Sequence, residues 1–352
     1  MPHPSPRAIL LRFLLAPACL LVAGSCDPDG SGSQEGVPEA REGTTSRRPA
    51  GAGEGFLTGA ADGRLRYRIL GNGTDTVVAI HGGPGAGMNS ILPDARPLAE
   101  RFTVIFYDQR GGGRSVLPED TARLRAGHFV RDLEAVRRRF GLRRMNLFAH
   151  SFGAILAARY AREHPDRVER MVFHKPTGPV LSEALTAMRD RRREPPAGND
   201  SLAARRSELL GSLLRGEAED PVATCRAYED IGRRLAADRG EPVTWRGSTC
   251  DAPAEAVRYY YRYTAQWTPR TFGDWDFTVG LEQVRAPLLV VHGARDSPGF
   301  RLARSWAAAL PNARLLPVPG AGPSAWTDRP DVVFPAVQTL FKGDWPDGAV
   351  AP

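Results

Sequence analysis

The chain predicts an α/β fold: a mostly parallel sheet with helices on both faces and an inserted helical cap. Three observations predict it. Short apolar runs alternate with helix-period segments from residue 55 onward. The clearest runs are continuously apolar, as in strands buried on both faces. Residues 179–283 break this rhythm with charged, amphipathic helical sequence and then an aromatic stretch, an interruption the size of a cap domain.

The elements follow in order. Leu65–Leu70 reads as a strand, ended by Gly71-Asn72-Gly73, and Thr76–Ile80 as a buried strand running into glycines. Thr103–Tyr107 is a third strand. Phe129, Leu133, Val136 and Phe140 share one face of a helix. Met145–Ala149 is a strand, Ala154–Glu163 a helix, and Met171–Phe173 a strand. After the interruption come a strand at Pro287–Val291, a helix at Leu302–Leu310, a strand at Arg314–Val318 and a closing helix at Pro330–Phe341. In the interruption, the aromatic residues Tyr259 to Tyr261 and Trp267 to Trp275 read as the cap's own core or as the roof of a pocket.

Ahead of the fold, Ala8 to Gly24 is an apolar run broken by Arg12 and Pro17. It is too short and interrupted for a good membrane span and fits an export signal. Leu21-Val22-Ala23-Gly24-Ser25-Cys26 resembles a bacterial lipobox, which makes residues 1–25 the signal and Cys26 the lipidated residue; a plain signal peptide or a short anchor is the alternative. Residues 26–54 are rich in Gly, Ser, Pro, Glu and Arg, the composition of a disordered tether. The expected location is therefore the cell envelope, held to the membrane through a lipid. Cys225 and Cys250 remain as a pair in an exported chain, to be bridged or left as two thiols.

The formal net charge is +7, which raises the question of nucleic acid. Lys175 and Lys342 are the only lysines among 47 basic residues, the arginines are interspersed with acids, and no run of five or more basic residues occurs. A nucleic-acid partner is excluded on this pattern. No metal or cofactor motif is present, and Gly111-Gly112-Gly113 is not followed by a phosphate-binding lysine pattern.

Ala149-His150-Ser151-Phe152-Gly153 lies between a strand and a helix. That is the setting of a nucleophile elbow, in which a sharp turn presents a serine above the sheet. His81-Gly82-Gly83-Pro84-Gly85 follows an earlier strand; the backbone N–H of Gly83, with that of Phe152, makes a candidate two-donor oxyanion hole. Tyr107-Asp108-Gln109-Arg110-Gly111-Gly112-Gly113-Arg114-Ser115 follows the next strand. The three motifs, in that order, resemble the proline iminopeptidase family of α/β-hydrolases.

The resemblance implies an α/β-hydrolase core at residues 55–178 and 284–346, a helical cap at 179–283 and a tail at 347–352. It implies a serine aminopeptidase acting on short peptides or small esters and amides through an acyl-enzyme, with Ser151 as nucleophile. Asp108 and Arg110 would shape the pocket floor. His292-Gly293-Ala294-Arg295-Asp296 resembles the family's H-G-x-x-D, which makes Asp296 the triad acid. Acidic cap residues hold the substrate amine in this family; Glu229, Asp230, Asp274 and Asp276 are available.

One position departs. The family places its base as G-x-G-H-S-P-W, and this chain reads Gly320-Ala321-Gly322-Pro323-Ser324-Ala325-Trp326. Proline cannot accept a proton, and no histidine occurs after His292. His174, at the end of the strand next to the elbow strand, is the first replacement to consider and His128 the second. Without a base the alternative function is a tethered pseudo-hydrolase that binds a peptide or small molecule.

Overall fold

The computed structural model describes residues 52–193, 200–241 and 243–352, all within one compact unit, Thr44–Pro352. The signal, Cys26 and most of the tether lie outside the described residues.

The first part of the core contains β1 (Gly53–Thr58), β2 (Arg64–Leu70), β3 (Thr76–Ile80), α1 (Leu92–Ala95), β4 (Thr103–Tyr107), α2 (Ala126–Arg139), β5 (Met145–His150), α3 (Gly153–Glu163) and β6 (Val168–His174). The interruption folds as α4 (Leu181–Arg193), α5 (Asp200–Arg215), α6 (Pro221–Asp238), α7 (Ala254–Tyr259), a π-turn at Tyr260–Thr264 and α8 (Ala265–Thr271). The chain then returns with β7 (Leu288–Gly293), α9 (Ser297–Ala309), β8 (Ala313–Val318), α10 (Ala325–Asp328) and α11 (Pro330–Lys342).

The strand order is β1-β2-β4-β3-β5-β6-β7-β8. β1 and β2 pair antiparallel, as do β2 and β4; every later pair is parallel. Side chains alternate across the sheet. Val78, Ile80, Ile105, Tyr107, Leu147 and Ala149 enter the core on one face, and Val77, Ala79, Val104, Phe106 and Phe148 the core on the other. Both faces are covered, which is why the strands read as continuous apolar runs. The order reverses at β3, which lies between β4 and β5, so the crevice beyond the ends of β3 and β5 is the natural place for a ligand.

Two boundaries move. β1 begins at Gly53, inside the stretch assigned to the tether. Its apolar content is slight, and its strand form comes from backbone pairing with β2, which composition does not show. At the far end of the cap, Phe272, Trp275, Phe277, Leu281 and Val284 belong to the main core rather than to the insertion. The aromatic stretch therefore divides. Tyr261 packs in a separate small cluster with Val257 and the two cysteines, while Trp275 fills the core and donates its indole N–H to the Gly178 carbonyl. Cys225 and Cys250 are joined in a disulfide that ties α6 to the loop before α7. Closing this loop stabilises the cap by about 3–4 kcal/mol on the chain-entropy view.

Candidate active site

Ser151 sits at the turn between β5 and α3 with φ +54. A non-glycine residue in this left-handed region costs about 1–3 kcal/mol and persists only where its surroundings impose it. They do so here. Its N–H donates to the His174 carbonyl (3.2 Å), and its carbonyl accepts from Thr177 N–H (3.1 Å). A side chain at Gly153 would place its Cβ 2.6 Å from the Ile80 carbonyl oxygen, so only glycine lets α3 start this close to β3. The Ala149 Cβ, in the position usually held by glycine, is fully buried without strain on the strand.

The loop after β3 is set by buried polar groups. The Gln109 amide donates to the His81 carbonyl (2.7 Å) and accepts from Gly85 N–H (3.2 Å). Gln109 N–H donates to His81 Nε2 (3.1 Å), so the imidazole carries its proton on Nδ1, 2.8 Å from the Gly82 carbonyl. Burial holds the His81 pKa down to about 4, so the ring is neutral. Gly83 has φ +111, and a Cβ at Gly82 would approach the Ser151 Cβ to 2.9 Å. The two glycines thus bring bare backbone against the serine, the arrangement an oxyanion hole needs, with Phe152 N–H at the head of α3 as the second candidate donor.

Asp108 and Arg110, expected to shape the pocket floor, are buried in hydrogen bonds behind the loop and line neither cavity at Ser151. Asp108 accepts from the N–H groups of Met88 (2.6 Å) and Arg114 (2.9 Å). Arg110 makes a two-pronged, buried ion pair with Asp132 (2.6 and 2.7 Å) and donates to the Ala60 carbonyl. Such a pair is weak evidence for stability as a whole, but breaking it strands a buried charge.

A cavity of about 330 Å³ opens in front of Ser151. Its walls include Gly82, His150, Lys175, Trp326 and Glu229. Of the four acidic cap residues, only Glu229 reaches this wall. Asp230 is paired with Arg233 at the surface, and Asp274 and Asp276 are exposed. Glu229 is held by the Ser248 hydroxyl (2.7 Å) and Thr249 N–H (3.0 Å) and pairs with Arg233 (3.6 Å), next to the Cys225–Cys250 bridge. Asp94 lines the same cavity, but its carboxylate already accepts from the N–H groups of Arg246 and Gly247, pinning the cap loop to the core.

Asp296 caps α9 by accepting from Gly299 N–H and lies 2.9 Å from His292 Nε2. Pro323, expected at the base position, lies in the loop between β8 and α10. Its neighbours Ser324 and Trp326 line the cavity.

His174 is elsewhere than its strand position suggests. It is fully buried, stacked between Phe148, His150 and Trp326. Trp326 N–H donates to its Nε2 (3.3 Å), and its Nδ1 lies 3.1 Å from His150 Nδ1. With Nε2 accepting, the His174 proton is on Nδ1 and is given to His150, whose own proton then sits on Nε2. Both His174 nitrogens are occupied, and burial holds its pKa well below the usual value. It lines neither cavity at Ser151, which removes it as a candidate base. His128 is hydrogen-bonded to Arg131 on the exposed side of α2, again away from the serine.

The sequence reading missed Lys175. It follows His174, has φ +48 and lines the cavity. Its rarity was visible, since it is one of two lysines in the chain.

Residues 75–330 match the family described by the alpha/beta hydrolase fold. The chain belongs to that family. Among α/β-hydrolases of known activity, it is 28% identical over 251 residues to the proline iminopeptidase of Heyndrickxia coagulans, covering 69% of this chain and 82% of that one. It is 28% identical over 243 residues to the proline iminopeptidase of Saccharolobus solfataricus, covering 68% and 75%. The crystal structure of the Mycobacterium smegmatis proline iminopeptidase superposes with a TM-score of 0.59 at 18% identity, covering 82% of this chain and 98% of that one. That likeness reaches the fold, as does the one to the Bacillus anthracis bromoperoxidase (TM-score 0.55, 23% identity, 83% and 100% covered).

Proposed function

We propose that this α/β-hydrolase is a serine hydrolase of the proline iminopeptidase kind, cleaving N-terminal residues from short peptides. The observation that carries the reading is that Glu229 lines the same cavity as Ser151. A carboxylate in the cavity gives the free amine of a peptide N-terminus a charged partner, with the first carbonyl presented to the serine. Ser151 Oγ adds to that carbonyl carbon, and the oxyanion is held by Phe152 and Gly83 N–H. The C–N bond breaks, the amine leaves with a proton, and water releases the acyl group from the serine. The kinship to proline iminopeptidases supports the peptide substrate.

The test is hydrolysis of prolyl-4-nitroanilide beside an N-acetylated analogue. Wild type is expected to prefer the free amine, and Glu229→Gln to raise its KM by about 10-fold or more, the size of one lost charged hydrogen bond. Equal rates on both substrates in wild type would refute amine recognition.

The export reading completes the proposal: a lipid on Cys26 and a tether place the catalytic domain at the membrane face. Mass spectrometry of the N-terminal peptide is expected to start at a diacylated Cys26. Recovery of Met1 with an unmodified cysteine refutes it.

A further inference from the structure

We propose that Lys175 is the base that takes the Ser151 proton, in place of the imidazole that Pro323 excludes. The inference rests on the hydrolase reading above and supplies the residue that reading lacks.

The backbone puts the two residues side by side. His174, just before Lys175, accepts from Ser151 N–H, and Thr177, two residues after it, donates to the Ser151 carbonyl. Lys175 N–H donates to the Val291 carbonyl on β7 (3.1 Å), which fixes the turn. Both residues are in the left-handed region, Ser151 at φ +54 and Lys175 at φ +48. Lys175 lies just past the regular pleat of β6, with its φ reversed, and lines the cavity. A second cavity of about 110 Å³ opens on the other side, bounded by His292 and Leu302. Ser151 and Lys175 are the two residues that line both cavities, so they meet where the spaces join.

Residue type fits the role. All but two of the chain's cationic side chains are arginine, which cannot deprotonate in a protein. The cation beside the serine is one of the two exceptions. Burial and then the charge of Lys175 hold the His150 pKa down to about 3. His150 and His174 stay neutral and do not compete for the proton.

In the step itself, neutral Nζ accepts the proton from Ser151 Oγ as oxygen bonds to the carbonyl carbon. The ammonium returns that proton to the leaving amine as the C–N bond breaks. Water attacks the acyl-serine in the same way, giving its proton to Nζ, and serine regains it on release. Nζ must start uncharged, so activity rises with pH. The groups around it are His150 and His174 on β5 and β6, His292 on β7 with Asp296 beside it, and Glu229 and Asp94 across the first cavity.

The test uses Lys175→Arg, which keeps the charge and length but cannot give up a proton, and Lys175→Ala. Fluorophosphonate labelling of Ser151 and hydrolysis of prolyl-4-nitroanilide are read from pH 6 to 10 on folded protein, checked by its melting curve. Expected results are a wild-type kcat/KM that climbs with pH, and a kcat in Lys175→Arg lower by about 10²–10⁴-fold with KM within a few-fold. Methylamine should partly restore Lys175→Ala. Lys175→Arg labelling and turning over at the wild-type rate overturns the lysine and leaves the hydrolase standing. So does loss of labelling in His292→Asn but not in Lys175→Arg, which puts the base at His292. A wild type that neither labels nor hydrolyses either an ester or a prolyl amide overturns both readings.

Discussion

Pro323→His is expected to raise hydrolysis of prolyl amides, by about 10²–10³-fold rather than the 10⁶-fold a triad histidine supplies in full. The loop favours a gain. It lies between β8 and α10, with Ser324 and Trp326 already on the cavity wall. It is anchored just before position 323, by Arg295 N–H to the Ala321 carbonyl (3.0 Å) and by Gly322 N–H to Asp328 (2.8 Å). A Cβ at Gly293 would fall on the Gly322 carbonyl oxygen, so loop and strand end already touch and Asp296 is a few residues away. Three effects hold the gain below its limit. Proline has set the backbone φ near −65°, which histidine inherits imperfectly. Asp296 already faces His292 Nε2 and must turn to orient a new ring. Lys175, if it takes the proton, leaves less to be gained. Pro323→Ala should give no increase, and the ratio of kcat/KM for the two variants checks the imidazole itself. A Pro323→His protein no faster than Pro323→Ala means the loop geometry no longer points at the serine.

Ser151→Ala is expected to remove fluorophosphonate labelling completely and to lower turnover by about 10⁶-fold where the nucleophile acts as one unit with its base. Stability should change little, because alanine keeps the Cβ and the two backbone bonds to His174 and Thr177 that impose φ +54. Ser151→Gly should go further and raise the melting temperature slightly, since glycine adopts this φ without the Cβ clash. Labelling and thermal denaturation, run on the same three proteins, check both halves. Residual labelling of Ser151→Ala at another residue would show that the reactive serine is elsewhere.

The fold was legible because its signals are local. Buried parallel strands need continuous apolar runs, and Thr76–Ile80 and Thr103–Tyr107 have them at the predicted bounds. Glycines at 82, 83 and 153 are demanded by close backbone approach, so they mark the elbow and its facing loop in the sequence. Position 323 was equally readable, since a proline carries no ionisable group wherever it lies. β1 was not legible, because its pairing with β2 leaves little apolar trace.

The side-chain directions belong to tertiary structure. Strand position alone put His174 near the serine, but packing of Trp326 across β5 and β6 sealed it in a stack and used both its nitrogens. Four acidic cap residues looked alike in sequence; the fold of the loop before α7 and the disulfide beside it brought Glu229 alone to the cavity. Lys175 was one residue from the one singled out, and only the fold beyond the end of β6, invisible to periodicity, put it with Ser151 on both cavities. The sequence by itself therefore determined the sheet, the elbow and the proline at position 323. Which charged groups surround the serine was decided by backbone reversals and long-range packing, because those set where a side chain points.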